Sequence, residues 1–328
     1  MRAGRGPVVP PAARSTFRGV SLLRALLIRG SESPALAGLV QGRGVARRAV
    51  RRFMPGETLD AALDAAAQQA ALGIGTTLTY LGEKVTDAAS TEAVARHYLA
   101  ALDRVRARGL PCELSLKLTH LGLDLGPDVC IGMLERICER VEATGTALWI
   151  DMEGSAYTAV TLEVFRAVQA RHRGLGLCVQ AYLRRTPADV EALLPRGAAI
   201  RIVKGAYQEP PALAFQSKAE VAEAFFRLGA RLLEPDARVA GVRAVFGTHD
   251  LALIARLQEH ARSRGLGPGA FECHLLYGIR TADQRRLAAQ GQPVRVLISY
   301  GAAWFAWYMR RLAERPANLW FVVRSLFA

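Results

Sequence analysis

From Thr58 onward the chain alternates short apolar or β-branched runs with longer stretches of helical periodicity. That alternation predicts a parallel sheet whose strands are joined by helical crossovers. Eight runs carry the strand pattern: residues 76–81, 113–120, 147–153, 176–183, 199–205, 244–249, 271–278 and 295–301. Residues 91–108, 128–143, 157–172, 212–233 and 251–264 read as helices between them. Strand starts fall roughly 23 to 45 residues apart, the size of a βα unit. Eight such units in about 250 residues make a closed (βα)8 TIM-type barrel of the α/β class the leading architecture. A chain of 328 residues, about half of them apolar, can bury a core of that size in one domain.

The rival is a doubly wound sheet, which for a dinucleotide-binding protein carries G-x-G-x-x-G after its first strand. The nearest match, Gly265-Leu-Gly267-Pro-Gly269-Ala270, stands between a helix and a strand, the wrong order, and reads as a loop. The net charge of +14 suggests nucleic acid until it is mapped along the chain. Residues 1–52 hold eleven arginines against the single acid Glu32, a net of +10, which leaves about +4 for the body. The basicity therefore belongs to an N-terminal arm, residues 1–52, and no nucleic-acid partner is expected for the body at 53–328. The arm's apolar stretch at 22–28 is too short to span a bilayer, and so is 319–327, which Arg324 interrupts. A helix on the membrane surface, a targeting sequence and an arginine-rich helix against the barrel floor all remain open for it. The five cysteines, Cys112, Cys130, Cys138, Cys178 and Cys273, contain no C-x-x-C pair, so a reducing compartment fits and a zinc site is not spelled out.

Polar residues at the C-terminal ends of barrel strands need a reason, because strand interiors are expected to be apolar and active sites sit at that rim. Here they recur: Ser115-Leu-Lys117-Leu-Thr119-His120, then Asp151-Met152-Glu153, then Gln180 and Tyr182. Arg201 and Lys204 follow on strand five, Thr248-His249-Asp250 on strand six, Glu272, His274 and Tyr277 on strand seven, and Tyr300 on strand eight. The chain has only four lysines, Lys84, Lys117, Lys204 and Lys218, and two of them stand at strand ends. A lysine kept against so strong an arginine bias is a candidate for chemistry that a guanidinium cannot imitate. Near the C-terminus Trp307, Arg310, Arg311 and Glu314 recur at i, i+3, i+4 and i+7 and share one helical face. Adjacent arginines there can grip one carboxylate while Glu314 orients them, and an ordinary exposed Arg310–Glu314 pair is the plain alternative. Glu272 and His274, two apart with no third ligand, make a poor metal site, and no metal is expected.

With these residues assembled, the chain resembles the proline dehydrogenase family, in its monofunctional, FAD-dependent bacterial form, over residues 53–327. The matching segments come in family order: Leu78-Thr-Tyr-Leu-Gly-Glu83, Ser115-Leu-Lys-Leu-Thr119, Ile150-Asp-Met-Glu153, Val179-Gln-Ala-Tyr182, Arg201-Ile-Val-Lys-Gly-Ala-Tyr207, Gly247-Thr-His249, Leu276-Tyr-Gly278 and Tyr308-Met-Arg-Arg-Leu-Ala-Glu-Arg-Pro-Ala-Asn318. The resemblance implies a distorted barrel after a helical arm, FAD as cofactor, and oxidation of L-proline to 1-pyrroline-5-carboxylate by hydride transfer to flavin N5. It implies catalytic roles for Asp151 and Arg201, and substrate binding by Lys117, Leu276, Trp307, Arg310 and Arg311. Met152, Gln180, Val203, Lys204, Gly205, Ala206, Lys218, Thr248, His249 and His274 match flavin-contacting positions, and Glu314 matches the glutamate that braces the arginine pair.

The resemblance further implies a membrane quinone as electron acceptor, with the chain cytoplasmic or attached peripherally to the inner face of the cell membrane. Three pocket positions depart from the family pattern: Leu297 and Trp307 stand where tyrosines are usual, and His274 where a glutamine is. These departures bear on substrate choice and keep open a sister enzyme that oxidises hydroxyproline or another cyclic amino acid.

Overall fold

The computed structural model describes residues 52–305, and the barrel unit runs over Phe53–Gly301. A first helix, α1 (Leu59–Ala70), is capped by the Thr58 hydroxyl, which accepts from Ala61 N. Eight strands follow: β1 (Gly75–Tyr80), β2 (Cys112–Leu116), β3 (Leu148–Ile150), β4 (Leu175–Gln180), β5 (Ala199–Val203), β6 (Arg243–Gly247), β7 (Glu272–Leu276) and β8 (Val294–Tyr300). They close into a barrel in chain order with every pairing parallel, β8 returning to β1 from Gly75↔Arg295 to Tyr80↔Tyr300. The crossovers are α2 (Ala88–Ala107), α3 (Pro127–Thr144), α4 (Ser155–Gln169), α5 (Thr186–Leu193), α6 (Lys218–Leu232) with the short α7 (Pro235–Val239), α8 (Leu251–Ser263) and α9 (Thr281–Ala289). The expected TIM-type architecture is thus the observed one.

Alternation along each strand divides the residues between two layers. Outward-facing Leu114, Leu148, Ile150, Leu177, Ile200, Ile202, Phe246, Leu275, Val296 and Ile298 are buried against helix residues such as Tyr98, Leu134, Phe165 and Phe225. This apolar sleeve is the main core, each large side chain contributing about 1.5–3 kcal/mol. The inward-facing set is different. An apolar barrel interior is the expectation from strand composition, yet Glu113, Trp149, Arg201, Arg243, Glu272 and Arg295 occupy it; all but Arg201 satisfy one another by hydrogen bonds and ion pairs, and Arg201 lies over the Trp149 ring and pairs with Asp151. Buried charge is tolerated here because each sign has its partner within reach.

Among the differences from the sequence reading, three have a visible reason. The second strand run stops at Leu116, because Leu118–Leu121 turns into a 3-10 helix. The helix expected from 212 begins at Lys218, where Ser217 and Glu220 form a capping box. Residues 213–215 instead run beside the turn after β4, with Arg184 N donating to Leu213 O and Phe215 N to Tyr182 O. Glu272, placed at a strand end by the sequence, opens β7 and lies in register with Val245, at the opposite end from the rim. The 265–270 segment is a loop, as expected, with only a 3-10 turn at Pro268–Ala270. All five cysteines are buried and unpaired by disulfides.

Candidate active site

The rim cluster is built by register. Leu116 and Ile150 are partners in the β2–β3 ladder, so Lys117 and Asp151, each one residue further on, emerge side by side. Arg201 sits mid-strand on β5 opposite Cys178 and is long enough to reach them. Its Nη2 donates to Asp151 Oδ1 and, at 2.9 Å, to Ser115 Oγ. Its Nη1 is buried and has no hydrogen-bond partner among the described residues. Burial works against the charge on Arg201, but Asp151 and its other neighbours outweigh it, so the guanidinium is held above its ordinary value and stays charged. Lys117 Nζ donates to Glu83 Oε2 at 2.6 Å, which joins the β1 loop to the end of β2.

A second shell of polar contacts fixes the loops. The Glu153 carboxylate accepts from Thr119 N at 3.0 Å and Thr119 Oγ1 at 2.7 Å, while burial raises its pKa. Gln180 Nε2 donates to Glu153 O at 2.8 Å and Gln180 Oε1 accepts from Ala206 N at 3.3 Å, so one amide ties the turns after β3 and β5 together. Lys204 Nζ donates to Asp250 Oδ2 at 2.7 Å, and hydrogen bonding to Lys204 lowers the Asp250 pKa. His249 Nε2 accepts from Leu276 N at 3.0 Å, which leaves the proton of its neutral ring on Nδ1. Thr248 is buried beside it, and its hydroxyl accepts from Asp250 N. Gly205 has φ +122°, and a Cβ there would lie 2.3 Å from the Tyr182 ring, so only glycine fits.

The structure therefore gathers Lys117, Asp151, Arg201, Gln180, Val203, Lys204, Gly205, Ala206, Thr248, His249 and Leu276 along the C-terminal ends of β2 to β7, with buried Met152 directly after Asp151. His274 lies deeper, edge-on to Trp149 at 5.6 Å, and burial pushes its pKa down to about 4. Lys218 stands exposed at the first turn of α6. Trp307, Arg310, Arg311 and Glu314 lie outside the described residues. Among the described residues no group of three His, Cys, Asp or Glu side chains can hold a metal ion.

Sequence reasoning missed several residues that shape this site. Ser115 and Glu83 were quoted within motifs but given no role, although Ser115 has the inward parity of Lys117. Glu209 was passed over altogether, yet its carboxylate accepts from Ser155 N at 2.7 Å and caps α4 from the loop after β5. The only local signal was Gly154, which has no side chain to cap the helix it precedes.

The family model described as proline dehydrogenase matches residues 62–324. Proline dehydrogenase 1 of Bacillus subtilis is 32% identical over 305 residues, covering 93% of this chain and 99% of the relative. Proline dehydrogenase of Deinococcus radiodurans is 34% identical over 282 residues, 84% of this chain and 89% of the relative. A crystal structure of proline utilization A from Bdellovibrio bacteriovorus superposes with a TM-score of 0.78 at 19% identity, covering 92% of this chain and 37% of that one, and shares the fold. With the match to the family model running from α1 past β8, the chain belongs to the proline dehydrogenase family.

Proposed function

We propose that this proline dehydrogenase holds FAD across the ends of β3 to β7, with L-proline between the flavin and Lys117. The buried Arg201 carries the reading: Asp151 and Ser115 fix its Nη2, while among the described residues Nη1 has no hydrogen-bond partner, in a setting where an unmade hydrogen bond is costly. A flavin ring supplies an acceptor for such a donor. The side-chain-free Gly205 and the adjacent Lys204 suit a pyrophosphate, which needs close backbone approach and positive charge. The residues present thus fit the cofactor without a Gly-rich Rossmann loop.

When bound, FAD supplies a hydride acceptor for the proline carbon next to nitrogen and a route for electrons onward to a membrane quinone. The chain's own residues do the rest. Arg201 places a fixed positive charge where negative charge grows during the reaction. Lys117 holds the substrate carboxylate so that the reacting carbon has one orientation. Asp151 keeps Arg201 charged and aimed. His274, with its pKa near 4, is a neutral ring at neutral pH and acts there as a dipole rather than a charge.

The departure at Leu297 bears on substrate choice. Leu297 is the register partner of Leu276 on β7 and of Thr77 on β1, and it places an apolar side chain among the inward-parity hydroxyls of Thr77, Thr79 and Ser299. At this one position no hydrogen bond to a ring hydroxyl can form. No helix among the described residues is long and apolar enough to cross a membrane, and peripheral attachment suffices for a quinone acceptor.

Purified protein should be yellow, and its absorbance should bleach anaerobically on adding proline. Colourless protein that still oxidises proline would overturn the flavin assignment. Steady-state rates with proline, 4-hydroxyproline and pipecolate test the substrate, and a clear preference for either of the last two would overturn that part. Faster turnover with dioxygen than with a soluble quinone would remove the quinone.

A further inference from the structure

Trp149 is fully buried, yet it stands inside the barrel and not in the apolar sleeve. Its Nε1 donates to Glu113 Oε2 at 2.7 Å, and Glu113 is itself anchored by Arg243 at 2.7 Å and Arg295 at 3.2 Å. Both arginines also bind Glu272, at 2.8 Å and 3.2 Å. The indole is thus fixed from the barrel floor by a four-charge network whose members come from β2, β6, β7 and β8. Space for it is made by Gly176, its register partner on β4: a Cβ there would lie 2.6 Å from the indole Cε3. His274 packs edge-on at 5.6 Å and 74°.

Two guanidinium groups lie over the ring: Arg243 from the floor, its Cζ 5.3 Å from the ring centroid, and Arg201 from the rim side at 4.8 Å. The Arg201 contact has a geometric role. The two hydrogen bonds that Arg201 gives to oxygen both use Nη2, to Asp151 and to Ser115, and the Cys178 sulfur is a further, weaker partner. Two bonds on one nitrogen fix that nitrogen but leave the guanidinium plane free to tilt about it. A desolvated aromatic face supplies the missing restraint, because a guanidinium gains cation–π attraction only while its charge stays over the ring.

We propose that Trp149, held by Glu113, is a positioning residue that sets the plane of Arg201 and so the direction of Nη1, which has no hydrogen-bond partner among the described residues. The inference rests on the reading that Arg201 addresses the flavin. It assigns the barrel floor a part in catalysis: the network of Glu113, Arg243, Glu272 and Arg295 acts through the indole on a group at the rim.

The test uses the flavin-loaded enzyme and measures the flavin midpoint potential, the rate of flavin reduction by proline, the KM for proline and the thermal midpoint. Trp149→Leu should slow flavin reduction about tenfold, move the potential in the same direction as Arg201→Lys, and leave KM within twofold. Trp149→Phe, which keeps an aromatic face but loses the bond to Glu113, should fall between Trp149→Leu and wild type in both. Gly176→Ala, which forces the indole toward the barrel axis, should move the potential even with Trp149 intact and serves if Trp149→Leu fails to fold. If Trp149→Leu or Gly176→Ala lowers the thermal midpoint but leaves potential and reduction rate unchanged, Trp149 is core filling and the proposal is overturned. It is equally overturned if Trp149→Phe behaves like Trp149→Leu. An unchanged potential in Arg201→Lys would instead sink the underlying reading of Arg201.

Discussion

The Lys204 ammonium donates to Asp250 Oδ2 at 2.7 Å, so a cation at the end of β5 is neutralised by the residue that caps α8. Asp250 uses its other oxygen to accept from Leu253 N at 3.2 Å. The two jobs can be separated by substitution. Asn remains a good cap while losing the charge, and Ala loses both, at about 1 kcal/mol for the cap. Asp250→Asn should therefore leave the thermal midpoint nearly unchanged and tighten FAD binding severalfold, since Lys204 then meets the pyrophosphate undiminished. Asp250→Ala should lower the midpoint by roughly 2–4 °C. Flavin titration of the apoprotein and thermal scans check both, and weaker binding in Asp250→Asn would show that Lys204 does not serve the cofactor.

Lys117 tests the substrate side. It stands next to Asp151 across the β2–β3 ladder and is held at 2.6 Å by Glu83. Lys117→Met removes one charge-assisted bond to the proline carboxylate, so KM for proline should rise roughly 10- to 100-fold. Arg310→Met and Arg311→Met should act in the same direction. Flavin content should stay near normal in all three. Loss of flavin without any change in KM would contradict the assignment.

How much of this was legible in the sequence follows from which contacts are local. The strand runs, the crossovers and the rim residues were readable because period-2 alternation and strand ends are properties of short segments. Lys117, Asp151 and Arg201 were readable as a group only through strand ends and the family motifs, and register then places them together. The floor network was not readable. Glu113 and Arg243 are 130 residues apart, and nothing local to either pairs them. Polarity alone groups Glu272 with the rim, although its run begins at 271; the structure makes it the first residue of β7. The Glu209 cap on α4 failed the same way, since its partner Ser155 is 54 residues earlier.

Acid should destabilise the fold through two buried histidines. Burial pushes His120 and His274 each down to about 4 from the ordinary 6.5, so both are neutral in the folded protein. As pH falls below about 6.5 the unfolded chain takes up these protons first, so stability present at neutral pH is lost between about pH 6.5 and 4. At pH 5 the loss is about 2 kcal/mol per histidine, or together on the order of 8–16 °C in thermal midpoint. Glu272, with its carboxyl depressed, adds its own loss only below the ordinary 4.5. Thermal midpoints of wild type and His274→Gln from pH 7 to pH 5 decide the matter. The variant should lose about half as much, and an unchanged acid slope would place the sensitivity elsewhere.

Gly205 links backbone conformation directly to cofactor binding. Its φ of +122° is open to glycine alone, and an added Cβ would meet the Tyr182 ring at 2.3 Å. Tyr182 cannot withdraw easily, because it is buried and its backbone N donates to Lys204 O at 3.0 Å. Gly205→Ala must therefore shift the Lys204-Gly205-Ala206 turn, at a strain of about 1–3 kcal/mol. The expected result is a lower thermal midpoint together with marked loss of bound flavin. Gly241→Ala is the control, since Gly241 also has positive φ, +85°, but nothing lies within 4 Å of its added Cβ. It should lower the midpoint while flavin content stays full. If Gly205→Ala also retained its flavin, the turn after β5 would bear only on stability and the cofactor would have to be held elsewhere.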